Sequence, residues 1–286
     1  FMDKNKVDID DTNISLDLSD ATQAVKENRF QDAILLLERI LKDQPDNIDA
    51  LYLSAVSSRY LKKFDESKSF IMDLLSNAPD MGRAYQEYGH LNRDQGNEEK
   101  AVMHYRQACE LNPALLASWN FLFQYFTKYK NKPAADHAEE QLKKLKSLPG
   151  LLLYISQILN EGRLGLAEEK CRAFLKKNPT NTYAMSLLAE IANRLGYFDD
   201  AEFLLEKAVE FSPDDGDLRT KYAEILRKKQ KFSKTMEQVE ILCEKFPNNL
   251  NYKAQKASEI MQNGDHQEAI NLLNDILKKN PYNFST

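Results

Sequence analysis

The chain is poor in the residues that build most non-helical folds and most catalytic centres. Of 286 residues, nine are glycine, nine proline, three cysteine and one tryptophan. Three cysteines, an odd number spread along the chain, exclude a disulfide framework and fit a reducing, cytoplasmic compartment. Long apolar runs are missing too. The longest, Ala33–Leu37 and Leu151–Ile155, fall far short of the roughly 20 residues of a membrane span, so no membrane partner is expected. There is no surplus of positive charge: 39 Lys and Arg against 44 Asp and Glu leave −5, which argues against nucleic acid as a partner. The start, Phe1-Met2-Asp3-Lys4-Asn5, is polar and has no signal-peptide pattern, and Phe1 ahead of Met2 is expected to be an expression remnant. What is present is a 42% apolar share, enough for a packed core.

The prolines are the most informative residues. Pro45, Pro79 and Pro113 are 34 residues apart, as are Pro179, Pro213, Pro247 and Pro281, and the gap from Pro113 to Pro179 is 66, two short of two periods. Between them the apolar spacing is helical: Ala201, Leu204, Leu205 and Ala208 follow i, i+3, i+4, i+7. Gly196 ends the preceding helical run, and Asp199 and Asp200 place negative charge in the next first turn. Each period therefore reads as two antiparallel helices of about 14 residues. Strand-like alternation and hairpin signals are absent.

This pattern resembles the tetratricopeptide repeat family. With each proline at repeat position 32, repeats start near 14, 48, 82, 116, 148, 182, 216 and 250. Position 8 reads Ala21, Ala55, Gly89, Phe123, Ile155, Ala189, Ala223 and Ala257, and position 20 reads Ala33, Ser67, Ala101, Ala135, Ala167, Ala201, Thr235 and Ala269. Small residues there let two helices cross closely. The resemblance implies an all-α, right-handed superhelical solenoid of about eight antiparallel helix pairs. The expected division is a disordered tail over 1–13, the array over 14–281, and the start of a ninth unit over 282–286. First helices are expected near 48–61, 82–95, 116–129, 182–195, 216–229 and 250–263. Repeat four departs from the pattern, with Phe123 at the small site, Glu139 at an apolar one and no proline at its end. Its aromatics Trp119, Phe121, Phe123, Tyr125, Phe126 and Tyr129 read either as a repacked junction or as a ligand patch.

Catalytic chemistry finds little support. His90, His104, His137 and His266 are scattered, with no metal-ligand spacing, and no glycine-rich phosphate loop occurs, so no metal, cofactor or catalytic residue is expected. Cys109, Cys171 and Cys243 sit at core-facing repeat positions. In the resembled family the first helices line a concave groove through positions 2, 5, 9, 12 and 13. The ligand-binding residues this implies are Tyr52, Arg59, Arg83, Gln86, His90, Arg93, Asn120, Gln124, Lys128, Glu190, Arg194 and Arg227, with Tyr60, Tyr183, Asn193 and Glu224 beside them. Such groups bind an extended peptide or an acidic side chain, or they form an ordinary solvated face. No repeat pairs lysine at position 5 with asparagine at position 9, which excludes a chaperone-tail carboxylate clamp. Position 6 lacks the asparagine ladder of the O-linked N-acetylglucosamine transferase superhelix.

Four stretches, Asp49–Arg59, Gly82–Gly96, Asn112–Trp119 and Leu188–Val209, are similar to the N-terminal repeats of bacterial fusions between tetratricopeptide repeats and sulfotransferases. That similarity implies an alternative to a peptide-binding scaffold: a recognition arm for a catalytic domain transferring a sulfuryl group from phosphoadenosine phosphosulfate. No donor-binding loop for that chemistry occurs in this chain. The apolar residues Ile270, Leu272, Leu273, Ile276 and Leu277, followed by Pro281 and Tyr282, carry no polar cap, so the chain is expected to continue beyond Thr286.

Overall fold

The structure is a computed structural model that describes residues 4–279, with side chains described from Ile14 to Lys278. Among the described residues there are sixteen α-helices and no strand. They fall into two compact units, the first ending at Gly162 and the second starting at Arg163. The first holds α1 (Lys4–Lys26), α2 (Phe30–Asp43), α3 (Ile48–Tyr60), α4 (Phe64–Asn77), α5 (Gly82–Asp94), α6 (Glu98–Leu111), α7 (Leu116–Lys128), α8 (Lys132–Lys146) and α9 (Gly150–Asn160). The second holds α10 (Leu164–Lys177), α11 (Thr182–Arg194), α12 (Phe198–Phe211), α13 (Gly216–Lys228), α14 (Phe232–Lys245), α15 (Leu250–Gln262) and α16 (His266–Lys279). The first helices α3, α5, α7, α11, α13 and α15 begin at 48, 82, 116, 182, 216 and 250, where the proline period puts them. The segment 1–13, expected to be disordered, is helical from Lys4 onward. Val7, Ile14 and Leu18, at i, i+7 and i+11, carry the helical spacing through it, and α1 has no break there. The expected start of a ninth unit, 282–286, lies outside the described residues.

The local rules that stop and start these helices can be followed residue by residue. Gln44, Ala78, Asn112, Asn178, Ser212 and Phe246 each precede a proline and cap a helix with φ between −124° and −141°. A residue before proline is pushed out of the α region, so the proline sets the stop one residue early. The next helix is then started by a side-chain cap in several repeats: Asn47 Oδ1 accepts from the Ala50 amide at 3.0 Å, Asn181 from Ala184 at 2.8 Å, and Asp215 from Leu218 at 3.1 Å. The turn inside each hairpin needs one residue at positive φ. Gly96, Gly162, Gly196 and Gly264 supply it in four repeats, while Asn28, Lys62, Lys130 and Gln230 adopt it at φ 54–61° in the other four.

Helix crossings are tight. Ala21, Ala33, Ala55, Ser67, Ala101, Ala167, Ala201, Ala223, Ala257 and Ala269 have no exposed surface. Ser67 Oγ donates to the Ala55 carbonyl at 2.9 Å, joining the two crossing positions of one hairpin. In unit one, Tyr105 packs with Cys109, Leu122, Phe126 and Ala138, and the partly buried Trp119, Phe121, Phe123 and Tyr125 lie against that cluster. The α7 aromatics are thus largely spent on packing, and Trp119 Nε1 donates to the Pro113 carbonyl at 2.8 Å. In unit two a second core joins Met185, Ala189, Leu205, Val209, Leu218, Tyr222 and Leu226.

Two substitutions test these roles. A Cβ at Gly89 would lie 2.8 Å from Tyr105 Cδ1, and that ring is fully buried. Helix propensity alone favours Gly89→Ala by about 1 kcal/mol, whereas overpacking costs about 1–3 kcal/mol, so a net loss is expected in urea unfolding. Lys130→Gly should instead raise stability, by about 1 kcal/mol, by relieving a left-handed non-glycine residue. A melting temperature raised by Gly89→Ala or lowered by Lys130→Gly contradicts the packing role of the one and the turn role of the other.

Candidate peptide-binding face

Each first helix has one side against its own hairpin partner, so its other side is where ligand-reading groups can stand. In unit one much of that side is committed to buried ion pairs. Arg59, 6% exposed, reaches Glu87 through Nε at 2.5 Å and Asp94 through Nη1 at 2.7 Å. Burial works against the Arg59 charge, but the Glu87 carboxylate and the bonds to Glu87 and Asp94 more than offset it and raise its pKa. Burial in turn lifts the Glu87 carboxyl above the usual carboxylate range, with Arg59 pulling it back. Tyr60 lies under the Arg59 guanidinium at 4.4 Å and stacks on Phe30.

Arg83 grips Glu161, with Nη2 donating to Oε2 at 2.7 Å, and its guanidinium covers the Tyr52 ring at 4.7 Å. Burial pushes the Tyr52 hydroxyl up to about 12. The end of α9 is fastened close by. Gln157 Nε2 donates to the Ala114 carbonyl at 3.0 Å, while Asn112 Nδ2 donates to the Gln157 carbonyl at 3.1 Å. Asn160 Nδ2 donates to Asn112 Oδ1 at 3.3 Å. The last turn of α9 therefore lies at the N-terminal ends of α5 and α7. Gln86 accepts from Ser118 Oγ at 3.0 Å, and Arg93 forks onto its neighbour Asp94.

What stays open in unit one is on α7. Asn120 and Gln124 are exposed, four residues apart, and Lys128 follows one turn later, bound to Glu98 at 2.7 Å. In unit two, Arg194 pairs with Glu190 at 2.8 Å, and Arg227 donates through Nε to the buried Glu259 at 2.6 Å. Asn193 accepts from Lys228 Nζ at 2.8 Å, and Ser186 accepts from Lys221 Nζ at 2.8 Å. Lys221 and Ser186 are absent from the sequence-derived set. The signal that would find them is the common 35-residue offset of Ser186 to Lys221 and of Asn193 to Lys228.

Burial raises all three thiols, Cys109 to about 12 and Cys171 to about 11, so none is an activated nucleophile. Among the described residues no group of three His, Cys, Asp or Glu side chains is placed to hold a metal ion, and no helix is long and apolar enough to cross a membrane.

His90 supplies a pH test. Its Nδ1 is 2.6 Å from the Tyr105 hydroxyl, and burial, followed by the charges of Arg59 and Arg93, pushes its pKa down from 6.5 to about 3. The unfolded chain then binds more protons than the folded one between those values, so stability is full above pH 6.5 and falls as the pH drops toward 3. By pH 4 this contributes a loss of up to about 3 kcal/mol. His90→Asn should lose correspondingly less between pH 7 and pH 4 in paired urea titrations. Equal losses in the two proteins would show that the ring is not held neutral by burial.

Residues 82–115 match the tetratricopeptide repeat, and residues 159–225 match a second description of the same repeat. The 82–115 match begins where α5 does. Among solved structures, one similar chain belongs to the APC/C hetero-tetramer Cut9–Hcn1, at 16% identity over 94% of this chain with a TM-score of 0.41. Another belongs to Naa15/Naa10 bound to HypK-THB, also at 16% identity and 94% coverage, with a TM-score of 0.42. This chain spans 54% and 42% of those two chains, about half their length. The two matches identify tetratricopeptide repeat sequence over residues 82–115 and 159–225, and both stretches are helical in the structure.

Proposed function

We propose that the chain is a protein-interaction scaffold that takes an extended segment of a partner along the open sides of its first helices. The observation that carries this reading is the row on α7. Asn120 and Gln124 are exposed at one-turn spacing, beside a closely packed aromatic core that holds the helix in place. A side-chain amide offers two donors and an acceptor, which matches the alternating donors and acceptors of an extended peptide backbone. Because α7 is fixed by Tyr105, Phe126 and Ala138, such contacts need little reordering of the helix on binding. Arg93, on α5, is engaged with Asp94, and its guanidinium is released for a ligand carboxylate only if Asp94 keeps Arg59.

The test is a panel of immobilised peptides screened with the full chain, followed by titration of the best binder. Asn120→Ala with Gln124→Ala should weaken that binder about tenfold, or about 1.4 kcal/mol, without lowering the melting temperature. Both side chains are exposed, so the fold does not depend on them. Unchanged affinity in the double variant would remove α7 from the binding face.

A further inference from the structure

Most lysines that bridge elements of unit two do so to carboxylates. Lys229 holds Asp199 and Glu202, Lys231 holds Glu202 at 2.7 Å, and Lys245 holds Asp214. Lys256 likewise binds Glu240 at 3.4 Å. Lys221 and Lys228 are different. Each is exposed on α13 and reaches across to α11, and each finds a neutral oxygen there: Ser186 Oγ for Lys221 and Asn193 Oδ1 for Lys228, both at 2.8 Å. Neither has a carboxylate within ion-pairing distance among the described residues. Lys228 also lies 5.9 Å from the Phe198 ring centroid, and the carboxylate of Asp199 in the same cleft is taken by Lys229.

An ammonium group has three donors. One bond to a hydroxyl or an amide leaves its charge uncompensated, so each of these contacts positions a cation without neutralising it. The two rungs are seven residues apart on one helix, or about 10 Å at 1.5 Å per residue. A peptide extended as polyproline II advances about 3.1 Å per residue with three residues per turn, so side chains three positions apart fall on one side and match that spacing. Glu224 lies between the two lysines on α13, three residues after Lys221 and four before Lys228, and is exposed. Negative charge at the centre of the strip works against a ligand that is acidic throughout. On α11, Glu190 stands between Ser186 and Asn193 and pairs with Arg194, and Glu259 is taken by Arg227, so neither forms an ion pair with the lysines.

We infer that the α11–α13 face of unit two reads two acidic side chains spaced three residues apart on an extended peptide, one at Lys221 and one at Lys228. This rests on the scaffold reading above and names the ligand class for a second face. The carboxylates meet the lysine ammoniums, which Ser186 and Asn193 hold in place. The Glu224 carboxylate selects a neutral or basic residue between the two acids.

The experiment titrates the full chain with three dodecapeptides on a glycine–serine–alanine background. One carries two glutamates three positions apart, one the corresponding glutamines, and one an uninterrupted run of glutamates. The spaced-acid peptide should bind at least about tenfold more tightly than the glutamine analogue at low salt, with the preference shrinking at about 0.5 M salt. Lys221→Met with Lys228→Met should abolish the preference with the melting temperature unchanged, and the corresponding double arginine variant should keep it. Equal binding of the spaced-acid and glutamine peptides, no binding of either, or a preference that survives the double methionine variant overturns the inference. Stronger binding of the uninterrupted acid run overturns it as well, because that is unselective attraction. The α7 variants report on the scaffold reading independently, since Asn120 and Gln124 belong to unit one.

Discussion

The close crossing of two helices at residues with almost no side chain is the constraint on which the rest of this structure depends. Where Ala55 meets Ser67, or Gly89 meets the Tyr105 ring, the inter-helix distance is set by the backbone and by single atoms of side chain. An added methyl at such a point is felt, because interiors are packed at crystal-like density. Once the crossing is fixed, the angle of the hairpin is fixed, and with it which residues of the first helix face inward to the core and which face away. The exposed placement of Asn120 and Gln124 on α7 likewise follows from how that helix packs against Ala135 and Ala138.

The turn and the stop complete the hairpin. The turn residue must enter the left-handed region whatever its identity, which is why Lys62, Lys130 and Gln230 accept φ values of 54–61° where glycine stands in other repeats. The stop is written by proline through the residue before it, from Gln44 to Phe246. These are local constraints, each acting within a few residues. Local constraints are legible in a sequence, and the six first-helix starts fall where the proline period puts them. The N-terminal helix shows the limit. Residues before 14 have no proline or small-residue marker, yet Val7 and Ile14 keep a helical spacing and the helix runs through them.

Partner choice was not legible. Tyr52, Arg83 and Gln86 stand at face positions of the first helices, but nothing local says that Arg83 will close on Glu161, 78 residues away, or that Gln86 will accept from Ser118. The two residues missing between Pro113 and Pro179 mark repeat four as irregular. They did not reveal that the end of α9 would be tied to Asn112 and Ala114. Long-range polar contacts of this kind depend on where a whole helix ends in space. The periodicity of a repeat carries no such information where the period slips.

Burial also sorts the charged groups of these faces into two kinds. Arg59 is enclosed with Glu87, and taking it away to meet a ligand would leave a carboxylate buried without its counter-charge, at a cost of about 3–5 kcal/mol. The same holds for Arg227 and the buried Glu259. Arginine at these positions is thus a poor candidate for reading a partner, although its chemistry suits carboxylates well. A lysine resting on a hydroxyl or an amide is in the opposite situation: it is held in place, its charge is uncompensated, and turning it to a ligand breaks one neutral-acceptor bond of about 1 kcal/mol net. The groups free to recognise a partner on such a surface are those whose internal partner is neutral or that have remained in water. Residue type alone does not tell them apart from the structural charges beside them.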